Sequence, residues 1–258
     1  MDNFLLQEIK NRTHKTKLIT LVGGGGKTTT IYKLADSLKS NNSVLITTTT
    51  HMFHPHKQVD HVYFKELPNV NYQNTAIALF DVYNKEKDKV DGFSNGRIDR
   101  IKESHIVDYI LNEGDGSRRK PLKCYGKNEP MIPMSSDIVI IVMGADAINK
   151  PLSEEVVHRL KEFKEATQIQ EGDIITDDVI IKLLTHSKGF LKGIPKNATA
   201  YILFNKSKTY PLEFNQTLFA DKLFSITDKY EAIIYAEMTS FEVLEVYQRS
   251  IYINKKVE

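Results

Sequence analysis

Leu18-Ile19-Thr20-Leu21-Val22-Gly23-Gly24-Gly25-Gly26-Lys27-Thr28-Thr29-Thr30 is the stretch from which the rest of the chain is read. An apolar, β-favouring run stops at four consecutive glycines. A lysine, three threonines and a helical stripe of Ile31, Leu34, Ala35 and Leu38 follow. That order predicts a strand, a phosphate-binding loop and a helix. A polyphosphate needs inward-pointing backbone N–H groups, and Gly23, Gly24, Gly25 and Gly26 let the chain approach closely and take positive φ. Lys27, expected as a solvent-facing ligand whose removal leaves the fold intact, is placed to reach the β- and γ-phosphates. Thr28 is placed to hold Mg2+, with Thr29 completing the motif, and the helix adds its N-terminal dipole.

The spacing is not the usual G-x-x-x-x-G-K-[ST], whose first glycine would fall on Leu21. A shorter loop, G-x-x-G-K-T-T, fits at Gly23, Gly26, Lys27, Thr28 and Thr29. The plainer alternative is a glycine-rich hairpin with a surface lysine, but a hairpin requires neither the strand before it nor the helix after it.

With 258 residues and 41% hydrophobic content the chain can bury a sizeable core and is not expected to be disordered. Thirty-five lysines and arginines against 33 acids leave a charge of +2, which argues against general nucleic-acid binding. One cysteine, Cys124, excludes an internal disulfide framework and cysteine-only zinc sites. No apolar run approaches a membrane span and the first 17 residues lack a signal-peptide core, so a cytoplasmic protein is expected.

Taken in order, Asp2 to Lys10 reads as a short helix, and Val44 to Thr47 as a buried strand completing a βαβ unit. Its carboxyl end runs into Thr47-Thr48-Thr49-Thr50-His51. There a hydroxyl or His51 faces the phosphate crevice, or the threonines simply favour β structure. Four histidines, His51, His54, His56 and His61, follow. A metal site is conceivable, but Pro55, the irregular spacing and the lack of a nearby carboxylate other than Asp60 favour a solvated loop. Thr75 to Val82 is a strand, Asn84 to Lys89 an exposed charged turn, and Arg97 to Tyr109 a helix.

The second informative stretch is Tyr109-Ile110-Leu111-Asn112-Glu113-Gly114-Asp115-Gly116-Ser117-Arg118-Arg119-Lys120-Pro121-Leu122. A strand ends in two acids, then glycines, then three cations. Glu113 and Asp115 stand where phosphate-loop proteins keep a group that binds Mg2+ directly or through water. Arg118, Arg119 and Lys120 are placed to neutralise phosphates or a carboxylate substrate. A tight Gly-Asp-Gly turn with a solvated basic flank is the plainer alternative.

At this point the sequence resembles the YqeC family of selenium-dependent hydroxylase accessory proteins. The resemblance rests on Val22 to Thr29, Thr47 to Thr50 and above all Glu113-Gly-Asp-Gly-Ser-Arg-Arg-Lys-Pro-Leu-Lys123. It continues through Asn128 to Pro133, Gly144 to Ala147, Lys150-Pro-Leu152 and Val157-His-Arg159, and covers about Lys17 to Lys206. It implies a nucleotide-binding protein linked to maturation of selenium-dependent molybdenum hydroxylases. The loop matches at Gly23, Gly26, Lys27 and Thr28, and the acidic strand end at Glu113 and Asp115. Gly114 stands where the family is expected to have alanine, and Cys124 where it has a small residue. That second difference argues against a family-wide sulfur or selenium carrier thiol and makes Cys124 structural.

Asp137 to Met143 is a further buried strand. A helix is expected from Pro151 and Ser153, with Val156, Val157, Leu160 and Phe163 inward and His158 and Arg159 on another face. Thr176 starts another helix. Ala200 to Phe204 leads into Asn205-Lys206-Ser207-Lys208, which is similar to the base-reading N-K-x-D segment of GTPases. Lys208 replaces its aspartate, which favours ATP over GTP. Ala232 to Ala236 reads as the last core strand, followed by an exposed charged tail.

Five apolar strands alternating with helices predict a P-loop NTPase-like, doubly wound α/β fold, with a mostly parallel sheet and helices on both faces. It is expected as a single domain over 1–258, with a smaller C-terminal subregion from about 150. Two functions follow. One is an ATP- and Mg2+-dependent cofactor-maturation enzyme acting on a small-molecule acceptor, its loop spacing also similar to that of Mur-type ligases. The other is a nucleotide-switched accessory protein that binds an apo-hydroxylase and hydrolyses nucleotide slowly.

Overall fold

A computed structural model describes residues 3–254; Asp2 and the last four residues of the charged tail lie outside the described residues. α1 (Phe4–Lys10) starts where the Asn3 side chain accepts from Leu6 N. β1 (Lys17–Gly23), α2 (Lys27–Leu38) and β2 (Ser43–Thr48) form the first βαβ unit. β3 (His51–Phe53), β4 (His61–Phe64), β5 (Thr75–Phe80), β6 (Val82–Asn84) and β7 (Lys89–Asp91) follow, and α3 (Asn95–Ser104) leads to β8 (Tyr109–Glu113). The second half holds β9 (Leu122–Lys123), β10 (Ile138–Gly144), β11 (Val157–His158), α4 (Leu160–Thr167), α5 (Asp177–Thr185) and β12 (Thr199–Asn205). It ends with α6 (Gln216–Ile226), β13 (Tyr230–Glu237), β14 (Glu242–Gln248) and α7 (Arg249–Asn254).

Nine strands make the main sheet in the order β14-β13-β12-β10-β1-β8-β2-β5-β4, every pairing parallel except β13 with β14. The protein is thus an α/β fold around a mostly parallel sheet. Alternation along β1 explains why its run is apolar on both faces, interrupted only by Thr20, whose hydroxyl is paired with Ser136 and Asn112. Ile19 and Leu21 pack with Leu5, Ile9, Ile31 and Leu34 of α1 and α2. Val22 packs with Phe163, Ile180 and Phe219 of α4, α5 and α6, and Leu18 with Ile98 and Ile101 of α3. Both faces of a central parallel strand are covered, so both must be apolar. The chain leaves β1 toward β2, β5 and β4 on one side and reaches β10, β12 and β13 on the other, so the strand order reverses at β1, whose carboxyl end is where open parallel sheets place their ligands. Among the described residues no helix is long and apolar enough to cross a membrane.

Several expected boundaries are corrected. The helix expected over Arg97 to Tyr109 ends at Ser104, where His105 turns left-handed at φ 53° and frees Tyr109 for β8. No helix begins at Pro151 or Ser153. Val157 and His158 instead pair as β11 with Leu122 and Lys123, and α4 starts only at Leu160, after a left-handed Arg159. The run from His51 to His61 is not all loop, because β3 joins β6 and β7 in a small antiparallel sheet and His61 opens β4. The core sheet does not stop at Ala236: β14 follows, and nine strands replace the five counted from apolar runs. Residues beyond 150 continue the same sheet through β12, β13 and β14.

Candidate functional site

The four glycines turn directly off β1 between neighbours that leave no room for a side chain. A Cβ on Gly23, at φ 97°, would lie 2.2 Å from Val142 O, and one on Gly25 would lie 2.2 Å from Gly144 N. Gly24 N donates to Val142 O at 2.8 Å and Gly25 N to Lys120 O at 3.1 Å, stitching the loop to β10 and to the segment before β9. Gly26 is the N-cap of α2 and makes no side-chain cap. The first N–H groups of that helix have no intrahelical acceptor.

Lys27, expected to face solvent, is 97% buried, with 3% of its side chain exposed. Its Nζ donates back to Gly23 O at 2.5 Å and lies 3.0 Å from Asp115 Oδ1. Asp115 is fully buried. Its Oδ2 accepts from Gly23 N at 2.8 Å, while Oδ1 has the Lys27 charge beside it but no aligned hydrogen-bond donor. A second cation completes the cluster. Fully buried Lys123, on β9, sits 3.4 Å from Asp115 Oδ2 and 3.4 Å from Glu129 Oε1, and donates to Gly116 O at 2.9 Å. Burial works against the Glu129 carboxyl, but Lys123, the Gly126 amide and Arg159 together hold it below the usual range.

Glu113 ends β8 beside the loop, and Thr28 Oγ1 donates to its Oε2 at 2.7 Å. Burial pushes the Glu113 carboxyl up, against the opposing pull of Lys27 and Thr28. This is an all-oxygen pair of the type a hard divalent cation takes. Glu113 and Asp115, two apart, therefore do different things: one meets the start of α2, the other clamps the root of the loop.

The basic flank divides. Lys120 turns to the backbone carbonyls of Glu154 and Val157. Arg118 and Arg119 are exposed and left-handed, and the Arg119 guanidinium stacks 4.5 Å above the Phe53 ring. The threonine run is committed to structure: Thr47, Thr48 and Thr49 donate to Leu79 O, Glu113 O and Met131 O. His51 lies 2.6 Å from Asp91. His158, expected on a helix face, lies on β11, where burial and then the Lys123 and Arg159 cations push its pKa down to about 4. Arg159 pairs with Glu129 at 3.2 Å. Cys124 is buried and its thiol is pushed up to about 11, mainly by burial, which fits a structural residue.

Two residues at the loop hold roles that the sequence does not signal. Lys123 ends the basic-proline motif, and nothing in its sequence neighbourhood signals full burial. Asn205, expected in a segment similar to a base-reading one, instead donates from Nδ2 to Gly25 O at 2.8 Å while its Oδ1 accepts from Met238 N at 2.9 Å. Lys206 turns to Asp146 at 2.5 Å and Lys208 to Glu242 at 2.8 Å.

These features define an α/β protein with a mostly parallel sheet and a crowded glycine loop at the carboxyl end of its central strand. The pattern of the YqeC protein family matches residues 19–161, a span that contains the loop, Glu113, Asp115 and Lys123. A protein of Escherichia coli (strain K12) named "Uncharacterized protein YqeC" is 35% identical over 193 residues, which is 73% of this chain and 75% of that protein. The chain belongs to the YqeC family.

Proposed function

We propose that the chain is a P-loop NTPase-like protein that binds a Mg2+-nucleoside triphosphate at Gly23 to Thr29, ATP in preference to GTP. In this reading it uses the nucleotide, as a cytoplasmic enzyme, in maturation of selenium-dependent molybdenum hydroxylases. What carries the reading is the convergence, at one strand end, of the glycine loop, Lys27 and the 2.7 Å Thr28–Glu113 pair at an uncapped helix start. Thr28 and Glu113 would hold the Mg2+, which when bound neutralises phosphate charge. The first amides of α2 and the Lys27 ammonium would hold the phosphates. Arg118 and Arg119, exposed at the rim, are free to hold the small-molecule acceptor.

To reach a phosphate, Lys27 must give up Gly23 O and Asp115. Lys123 and the Gly23 amide stay on Asp115, so the carboxylate left behind keeps a buried partner. This exchange favours a second reading, the nucleotide-switched accessory protein that binds an apo-hydroxylase: nucleotide would draw the lysine from the position it holds here, and its movement would loosen the root of the loop. Isothermal titration of ATP and GTP, with and without Mg2+, tests the common premise. Mg2+-dependent ATP binding by the wild type, weakened at least about tenfold in Thr28→Val, is expected. Equal binding by the variant would remove Thr28 from the metal. Stimulation of hydrolysis by protein-free extract would then favour the enzyme, and stimulation by apo-hydroxylase alone the switch.

A further inference from the structure

The small sheet of β3, β6 and β7 brings two neighbouring histidines, His54 and His56, beside a carboxylate more than thirty residues further along the chain, Asp88. One ligand atom each from His54, His56 and Asp88 lies within 4.8 Å of the others. We propose that these residues form a site for a first-row transition metal of the zinc type, three protein ligands with the remaining position open to solvent or a partner group.

The clustering is built by backbone. His54 N donates to Asp88 O at 3.1 Å, tying the segment after β3 to the β6–β7 turn, where Asp88 is left-handed at φ 50°. His56 Nε2 stands 2.9 and 2.8 Å from the two Asp88 oxygens. Tyr83 OH donates to Asp88 Oδ1 at 3.0 Å, an outer contact of the kind that orients a ligating carboxylate. The His54 ring is held between neighbours, its centroid 4.5 Å from both Tyr83 and His56.

The same sheet supplies its own comparison. His51 and Asp91 make a simple histidine–carboxylate pair at 2.6 Å. The His56–Asp88 pair needs no third ring for that purpose, yet His54 is fixed beside it. Two imidazoles and a carboxylate suit Zn2+, Co2+, Ni2+ or Cu2+ better than Mg2+, which takes oxygen donors. Bond lengths of about 2.0–2.2 Å put tetrahedral ligand atoms roughly 3.3–3.6 Å apart, so His54 must approach the other two by at most about 1.5 Å, while His56 and Asp88, now 2.8 Å apart, must open by about 0.5 Å. His56 and Asp88 are solvent-exposed side chains free to turn. As a ligand His56 would be the neutral tautomer that carries its ring proton on Nδ1, with the Nε2 lone pair turned to the metal. His54 Nδ1 now accepts from His56 N at 3.0 Å, and metal capture takes that lone pair while the exposed amide turns to water. The site shares no residue with the glycine loop.

Titration of the full chain with Co2+ alone, followed by visible absorption and then displaced by Zn2+, is the test. One Co2+ per chain with tetrahedral absorption bands is expected. His56→Ala and Asp88→Asn, which remove ligands from two different segments, should each weaken it at least about tenfold. His54→Ala should do the same, and His51→Ala should leave the titration unchanged. Binding that His54→Ala and His56→Ala both leave intact, or absence of the bands in a wild-type chain whose circular dichroism is that of a folded protein, would overturn the proposal.

Discussion

The root of the glycine loop and its rim treat charge in opposite ways. At the root, Lys27, Lys123 and Asp115 are packed out of water with short, specific contacts. At the rim, Arg118 and Arg119 lie in solvent, and Arg119 has an exposed aromatic ring for a neighbour. Charges at the root cannot be lost singly without leaving a buried ion, so they set the shape of the loop. Charges at the rim cost the fold little and are free to serve recognition.

The sharpest break of that contrast is Asp115→Asn. It leaves two buried ammonium groups without their shared carboxylate and should cost about 3–5 kcal/mol in a urea titration. Gly23→Ala comes next, at about 2–4 kcal/mol, because the new Cβ meets Val142 O at 2.2 Å in a left-handed backbone. Lys27→Met should cost less, about 1–3 kcal/mol, since Asp115 retains Lys123 and the Gly23 amide. If Asp115→Asn proves no worse than Lys27→Met, Lys123 plays no part in holding the carboxylate.

Glu113→Gln sharpens the comparison through pH. Burial raises the Glu113 carboxyl, so above about pH 4.3 the folded protein holds a proton that the unfolded chain has released. Wild-type stability therefore falls as pH rises from there through the raised value, and the variant escapes that loss. Its stability relative to wild type should grow with pH across the window in parallel denaturant titrations. A flat difference would mean that Glu113 is not raised. The smallest effect belongs to Arg119→Ala, at most about 1 kcal/mol, because it removes one exposed cation–π contact. A larger loss would make the rim structural after all.

The sequence made the central strands plain because burial on both faces writes a near-continuous apolar run, as in Leu18 to Val22, interrupted only by Thr20, and Ile138 to Met143. Edge strands carry no such mark. β14 is Glu242-Val-Leu-Glu-Val-Tyr-Gln248, half exposed along one side of the sheet, and β4 opens with an exposed histidine. β9 and β11 are two residues each and exist only because they meet one another, so no local pattern announces them, and Val156 and Val157 read there as a helix stripe. At the site, residue types and order were legible in Gly23 to Thr29 and Glu113 to Lys123. The inward turn of Lys27 was not, since its partner Asp115 lies 88 positions away and only the pairing of β1 with β8 brings them together. The same holds for Asp88, which joins the histidines through a sheet that the turn residues between 84 and 89 concealed.

The Asn205 side chain carries a consequence for experiment. Its amide holds the carbonyl of Gly25 with one end and the backbone of Met238 with the other, so displacement of the loop must be felt at the β13–β14 turn. Met238 is 1% exposed and packs in the core beside Ile234 and Ala236. A methionine-methyl NMR spectrum therefore contains a resonance fixed in the interior that listens to the loop from outside it, and occupancy can be followed without a label on the ligand.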